Sequence, residues 1–414
     1  MCASNRRIAY LDLFAGAGGL SEGFRASGYE SVAHVEMDID ACNTLKTREC
    51  FYYLQSTGNI EAYSKYLLGE ITREELYSMI PAELLDSVIC KAMSPITMPE
   101  IFEEIDSAMC SRHVRQIDII LGGPPCQAYS TVGRSRKNMT SDPRNLLYKL
   151  YLEAVNRYKP LMFVFENVPG LITASGGYYL TSILNGLRYR GYYVHKKILN
   201  AADYGVLQHR NRIIIIGWRK DTQYKYPILQ RINQKYSVSQ LLDDLPPLKP
   251  GEEKKEYTGA VTPYLRDTGI RNENDILTWH IARTNLERDR EIYRLAINAW
   301  NQQRKRIKYT DIPDNLATHV NRTGFLDRFK VVAADQPAAQ TLVAHICKDG
   351  HHYIHPDINQ ARSISVREAA RIQSFPDNYY FEGTRTSVFK QIGNAVPPLL
   401  AKTIAKALLE QFGV

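Results

Sequence analysis

Apolar residues fall along this chain in short continuous runs separated by stretches of helical spacing. Ile8 to Phe14 is such a run, suited to a strand buried on both faces. A glycine-rich turn, Ala15 to Gly19, follows it. Helical spacing resumes from Leu20 to Ser27, where Gly28 closes the helix. A second run, Ser31 to Glu36, completes a β-α-β opening. Further strands are expected at Ile117–Leu121, Leu161–Phe165 and Ile213–Ile216, with helices over 146–157 and 179–190. This alternation predicts an α/β fold with a doubly wound, mostly parallel sheet.

Residues 45 to 115 read as a helical insertion. Thr72-Arg73-Glu74-Glu75 is a capping-box pattern, and Pro81 suits the first turn of the next helix. From about 220 the alternation is lost and proline, lysine and tyrosine become common. Leu245 to Gly251 reads as a linker or loop. The stretch 287–308 reads as a helix ending in Arg304, Lys305, Arg306 and Lys308. Residues 221–385 are therefore expected to form a smaller, irregular second domain. Residues 1–220 form the first, completed by 386–414, which end in an amphipathic helix.

Composition narrows the class. The 414 residues are 44% hydrophobic and 23% charged, as in ordinary globular proteins. No apolar stretch is long enough to span a bilayer, and the polar N-terminus, Met1 to Arg7, is no signal peptide. A cytoplasmic location is the expectation. Seven scattered cysteines without a Cys-x-x-Cys pair argue against a disulfide framework and a cysteine zinc site, and no metal is expected. A net charge of +8 fits a polyanionic partner without requiring one.

Ligands of an open parallel sheet bind beyond the carboxyl ends of its strands. Glu36 ends the second strand, where a carboxylate accepts from ribose hydroxyls. Gly16-Ala17-Gly18-Gly19 lacks the third glycine of the dinucleotide pattern, which favours S-adenosylmethionine over a pyrophosphate ligand. A purely structural turn remains an alternative for these residues alone. Gly122 to Ser130 places Cys126 just past a central strand, between fixed prolines and the ligand crevice. Glu166 ends the next strand in a comparable place. Arg210 and Arg212 alternate before the isoleucine run, so both are expected on one face.

The ordered motifs are Asp12-Leu13-Phe14-Ala15-Gly16-x-Gly18-Gly19, Glu36, Gly123-Pro124-Pro125-Cys126-Gln127 and Glu166-Asn167-Val168. They continue with Gln208-x-Arg210-x-Arg212, the block from Arg367 to Pro376, and Gly393-Asn394-Ala395-Val396-Pro397. In this order and spacing the chain resembles the C5-cytosine DNA methyltransferases of prokaryotic restriction-modification systems. The resemblance implies methylation of cytosine carbon 5 in a specific double-stranded DNA sequence, after the base is flipped from the stack.

By that resemblance Cys126 is the thiolate that adds to cytosine C6. Glu166 contacts N3 and the exocyclic amine, Arg212 contacts O2, and Arg210 supports the site. The S-adenosylmethionine contacts implied are Phe14, Gly16, Gly18, Glu36, Met37, Pro125, Leu147, Asn394 and Val396. The family's acidic reader of the adenine amine has no counterpart here. Ser94-Pro95-Ile96 lies nearest and is not assigned that contact. Thr131 to Arg144 corresponds to the loop that closes over the base, with Gly133 as hinge. DNA contacts are expected from Gln127, Ser130, Arg134, Arg136, Lys137, Arg144, Arg304, Arg306 and Thr341.

The resemblance also implies a monomer, with a cognate restriction endonuclease acting separately. Two rivals are a tRNA cytosine-C5 methyltransferase and a catalytically silent DNA-binding protein of the same fold. The tRNA branch carries a Cys-Phe-Thr signature, whereas Cys347 is followed by Lys348-Asp349. The intact Cys126, Glu166 and Arg212 argue against the silent protein.

Overall fold

The computed structural model describes residues 7–125, 146–233, 235–318, 320–323 and 326–413. The chain opens with β1 (Ala9–Leu13), α1 (Gly19–Arg25) and β2 (Glu30–Glu36), as the apolar pattern predicts. Then come α2 (Ile39–Ser56), α3 (Ile60–Leu68), α4 (Arg73–Ser78), α5 (Ala82–Asp86), β3 (Val88–Cys90) and α6 (Met98–Ser111). The sheet continues with β4 (Ile119–Gly122), α7 (Leu147–Tyr158), β5 (Met162–Asn167), α8 (Tyr178–Tyr189), β6 (Tyr192–Asn200) and β7 (Asn211–Arg219).

These strands form one seven-stranded sheet in the order β3-β2-β1-β4-β5-β7-β6. β7 runs antiparallel to both neighbours, and every other pairing is parallel. Helices cover both faces, which explains the continuous apolar runs. Leu11, Leu13, Phe163, Phe165, Ile213 and Ile215 pack toward α6, α7 and α8. Tyr10, Val164, Ile214 and Ile216 pack on the other face, with Leu20 and Phe24 of α1 and residues of α13 (Pro398–Phe412).

The last helix thus returns beside the first. A Cβ on Gly23 would lie 2.3 Å from the Lys402 amide nitrogen, so only glycine permits this approach.

Two sequence expectations need correction. Residues 45–115 are not simply an insertion, because they carry β3, the sheet's edge strand, and α6, which packs back on it. The helices α2 to α5 do form a cover with its own small core around Phe51, Leu54, Tyr63 and Leu76. The Thr72 capping box is formed, while Pro81 stands just before Ala82 rather than within α5. The isoleucine strand β7 is antiparallel, not parallel. Only ten residues separate it from β6, with no crossover helix, and that connection permits an antiparallel pair.

Beyond residue 220 regular structure is sparse: α9 (Pro263–Thr268), α10 (Glu287–Gln303), α11 (Val366–Ile372) and α12 (Arg385–Asn394). α10 ends earlier than its sequence pattern suggests. Arg304 takes a left-handed φ of 53° and caps it, so Lys305, Arg306 and Lys308 lie past the helix. Buried ion pairs organise the rest. Arg371 bridges Asp244 at 2.6 Å and Asp377 at 2.5 Å, and Arg362 pairs with Glu368 at 2.7 Å. The Arg367–Pro376 block is therefore scaffold: Arg367 binds the Thr278 carbonyl at 2.9 Å from a fully buried position. No helix among the described residues is long and apolar enough to cross a membrane.

Candidate active site

The glycine turn after β1 is held from below. Phe14, Gly16 and Gly18 have φ of 57°, 55° and 71°, a left-handed run that suits glycine and strains Phe14. The Gly16 amide donates to Glu36 Oε2 at 2.8 Å. The amides of Met37 and Asp38 donate to Oε1 of the same carboxylate, each at 2.9 Å. Glu36 thereby couples the first turn to the end of β2. The Tyr379 hydroxyl fixes the turn from the far end of the chain, donating to the Ala17 carbonyl at 2.7 Å.

A Cβ on Gly16 would meet nothing within 4 Å, so the turn is open there, whereas Gly18 is buried against Leu45 and Tyr379, which a Cβ would meet at 2.8 and 2.9 Å. Beside the turn Met37 is 68% exposed, an apolar side chain left in water past β2. Ile96, after β3, is 88% exposed. Asn394 is exposed at the end of α12, whereas Val396 is buried among α1 and α13, its carbonyl against Gly19. Leu147 is half-buried at the start of α7, and Pro125 is exposed.

Two strands along the sheet lies the second half of the site. Glu166 at the end of β5 and Arg212 at the start of β7 form an ion pair, Nε to Oε1, of 2.7 Å. Both side chains are nearly enclosed. Burial opposes the charge of each: it pushes the Glu166 carboxyl above its ordinary range despite Arg212 and Arg210, and it pulls Arg212 down. Gly123 makes room for the pair, since a Cβ there would stand 2.8 Å from Glu166 Oε2. Asn167 Nδ2 donates to the Pro124 carbonyl at 3.1 Å and so ties the end of β5 to the chain leaving β4.

Arg210 lies close enough to Glu166 and Arg212 for their charges to act on one another, but its hydrogen bonds go elsewhere. It precedes β7, and its guanidinium donates to the carbonyls of Gly393 and Ala395, each at 2.9 Å, and to that of Leu342. Gln208 works alongside it. Gln208 accepts from the Leu342 amide at 2.9 Å and donates to Gln373 at 2.7 Å. The two residues stitch the second half of the chain, and the turn carrying Asn394, onto the sheet. Gln208 stood inside a recognised motif, but its partners are more than a hundred residues away. Gln373 and Asn167 likewise gain their roles only through long-range packing.

Cys126, Gln127, Ser130, Arg134, Arg136, Lys137 and Arg144 lie outside the described residues, as does the segment from Thr131 with Gly133. Cys126 follows Pro125 directly in sequence. Among the remaining expected DNA contacts, Arg304 is exposed and 3.4 Å from Asp335. Arg306 sits 6.0 Å from the Trp300 ring. The Thr341 hydroxyl is engaged by the His209 carbonyl.

A seven-stranded sheet of this order, with a glycine turn and the Glu36 carboxylate at one end and a buried Glu-Arg pair nearby, defines an α/β methyltransferase. The profile described as C-5 cytosine-specific DNA methylase matches residues 8–70 and 73–410. The chain belongs to the C-5 cytosine-specific DNA methylase family, and its reaction is methyl transfer to carbon 5 of cytosine in DNA. A type II methyltransferase of Bacillus paralicheniformis is 40% identical over 439 residues, which cover 96% of this chain and 98% of that protein. One of Xanthomonas oryzae is 31% identical, covering 97% of this chain and 84% of its own length. Among solved structures, a putative DNA modification methyltransferase from an Escherichia coli prophage superposes with a TM-score of 0.65. It is 21% identical and covers 98% of this chain and 100% of its own.

Proposed function

We propose that the chain methylates one cytosine of a specific double-stranded DNA sequence through covalent attack by Cys126, with S-adenosylmethionine as donor. The observation that carries this reading is the Glu166–Arg212 pair, 2.7 Å apart, beside Gly123 and the prolines that lead into Cys126. The donor fits the residues present: a left-handed glycine turn open at Gly16, the Glu36 carboxylate for a ribose, and exposed Met37 for an adenine face. When bound, the donor supplies an electrophilic methyl on a sulfonium sulfur.

Cytosine C5 is too weak a nucleophile to accept that methyl unaided. Addition of the Cys126 sulfur to C6 breaks the C5–C6 double bond and delivers its electron pair to C5. Glu166, its pKa raised by burial, is placed to contact N3, to accept from the exocyclic amine and to stabilise the protonated adduct. Arg212 contacts O2 and keeps Glu166 in place. Once C5 carries the methyl, its proton departs, the double bond reforms and the Cys126 sulfur is expelled. The base must leave the duplex to enter this site, at a cost of about a few kcal/mol.

Residues 1–220 with 386–414 act as the catalytic unit, and 221–385 as the recognition unit that reads base edges. The relatives' type II designation supports a modification enzyme that acts as a monomer beside a separate endonuclease in a bacterial cytoplasm. Bisulfite sequencing of plasmid DNA from cells expressing the protein tests the reading. One cytosine protected in every copy of a short sequence supports it, and uniform conversion contradicts it.

A further inference from the structure

β6 is one of the two outer strands of the sheet and, among the described residues, pairs with β7 alone. Its sequence is polar where it should be blunted, but the register gives the lysines a second meaning. Ile214 of β7 pairs with Glu166 on one side and with Lys197 on the other. Directly paired residues share a face of the sheet. Lys197 therefore lies on the face of Glu166, two strand spacings or about 10 Å away. Lys196 occupies the neighbouring row, through Ile215 to Phe165, and so stands at the same rim on the opposite face. β6 also runs parallel to β5, so both lysines belong to the end of the sheet that carries the catalytic pair.

Both lysines are exposed, and Ile198 beside them is 52% exposed. Neither ammonium has a carboxylate partner among the described residues. The Lys197 ammonium instead sits 4.3 Å above the Tyr226 ring, which also packs on His195 at 4.4 Å. A cation held on an aromatic face stays positioned yet keeps its charge for an anion.

We propose that Lys196 and Lys197 contact phosphates of the DNA duplex flanking the target cytosine, with Tyr226 positioning the Lys197 ammonium. Duplex DNA carries one charge per about 1.7 Å of axis, so a duplex delivering a base to Glu166 brings phosphates across this rim. The inference rests on the DNA-substrate reading above. A lysine that only guards the edge strand against strand pairing would need no such register as Lys197 has with Glu166.

The test is fluorescence anisotropy with a labelled duplex of mixed sequence, titrated over a series of salt concentrations. The double variant K196Q/K197Q should lose about 1.8 from the slope of log affinity against log salt, 0.9 per phosphate contact. K196R/K197R should keep the wild-type slope. Tyr226→Phe should keep it too, while Tyr226→Leu should lose part of it. An unchanged slope in K196Q/K197Q overturns the proposal. So does an insoluble double variant whose soluble single variants, K196Q and K197Q, each retain the full slope. If the wild-type protein binds no duplex at all, the substrate reading fails first, and the two failures remain distinct.

Discussion

Glu166 Oε1 lies 2.7 Å from Arg212 Nε, and Gly123 lends the carboxylate its space. The pair spans β5 and β7, an antiparallel contact inside a largely parallel sheet. The pairing offsets the cost of two buried charges and orients the carboxylate. Replacing Glu166 with glutamine keeps the shape and removes the acid. Single-turnover methylation should slow by about a hundredfold or more, within the range for a lost proton-transfer group. Donor affinity by calorimetry should stay near wild type. A rate within threefold of wild type would remove Glu166 from the chemistry.

Gly123→Ala tests the space rather than the charge. The new Cβ would meet Glu166 Oε2 at 2.8 Å and must displace the carboxylate. A displacement of about 1 Å can cost up to a hundredfold in rate. The expected outcome is a lower kcat with unchanged donor binding, read from steady-state kinetics and calorimetry on the same preparation.

Arg210 acts through what it holds. Its guanidinium reaches carbonyls on two separate segments, Leu342 on one and Gly393 with Ala395 on the other. A lysine's single nitrogen cannot span both. Arg210→Lys should destabilise the fold by about 2–4 kcal/mol in chemical denaturation. It should also raise the KM for the donor, because Asn394 sits between the two carbonyls it loses. A stability loss without any change in donor KM would make Arg210 a purely structural clasp.

A pH effect follows from His34 on β2. Burial disfavours its charge, yet Asp12 at 3.8 Å and Glu49 at 3.5 Å overcome this and raise the imidazole pKa. The folded state thus holds the proton more tightly than the unfolded chain. Its stabilisation is complete below about pH 6.5, the unfolded value, and fades as pH rises through the folded value. The melting temperature of wild type relative to His34→Asn should therefore shrink as pH climbs from about 6 toward 9. A constant difference would mean that His34 is neutral throughout.

What the sequence disclosed was local. The β1-turn-α1 unit, Glu36, Glu166 and the isoleucine strand are each written in one short stretch of residues. β3 escaped because three residues, Val88 to Cys90, leave no periodicity to read. β6 escaped because an outer strand with exposed His195, Lys196 and Lys197 looks like a loop. Alternation says nothing of what Arg210 binds, and β7 begins only at Asn211. The partners of Arg210, Leu342, Gly393 and Ala395, lie more than 130 residues further along. Such contacts follow from how the two halves of the chain meet, and no local pattern encodes them.

The central claim is tested by one measurement: mass spectrometry of nucleosides from unmethylated DNA incubated with S-adenosylmethionine and either the wild-type protein or its Cys126→Ser variant. 5-Methylcytosine with the wild type and none with Cys126→Ser is the predicted result. Equal 5-methylcytosine from both proteins, or none from a wild type that binds DNA and donor, would contradict the account.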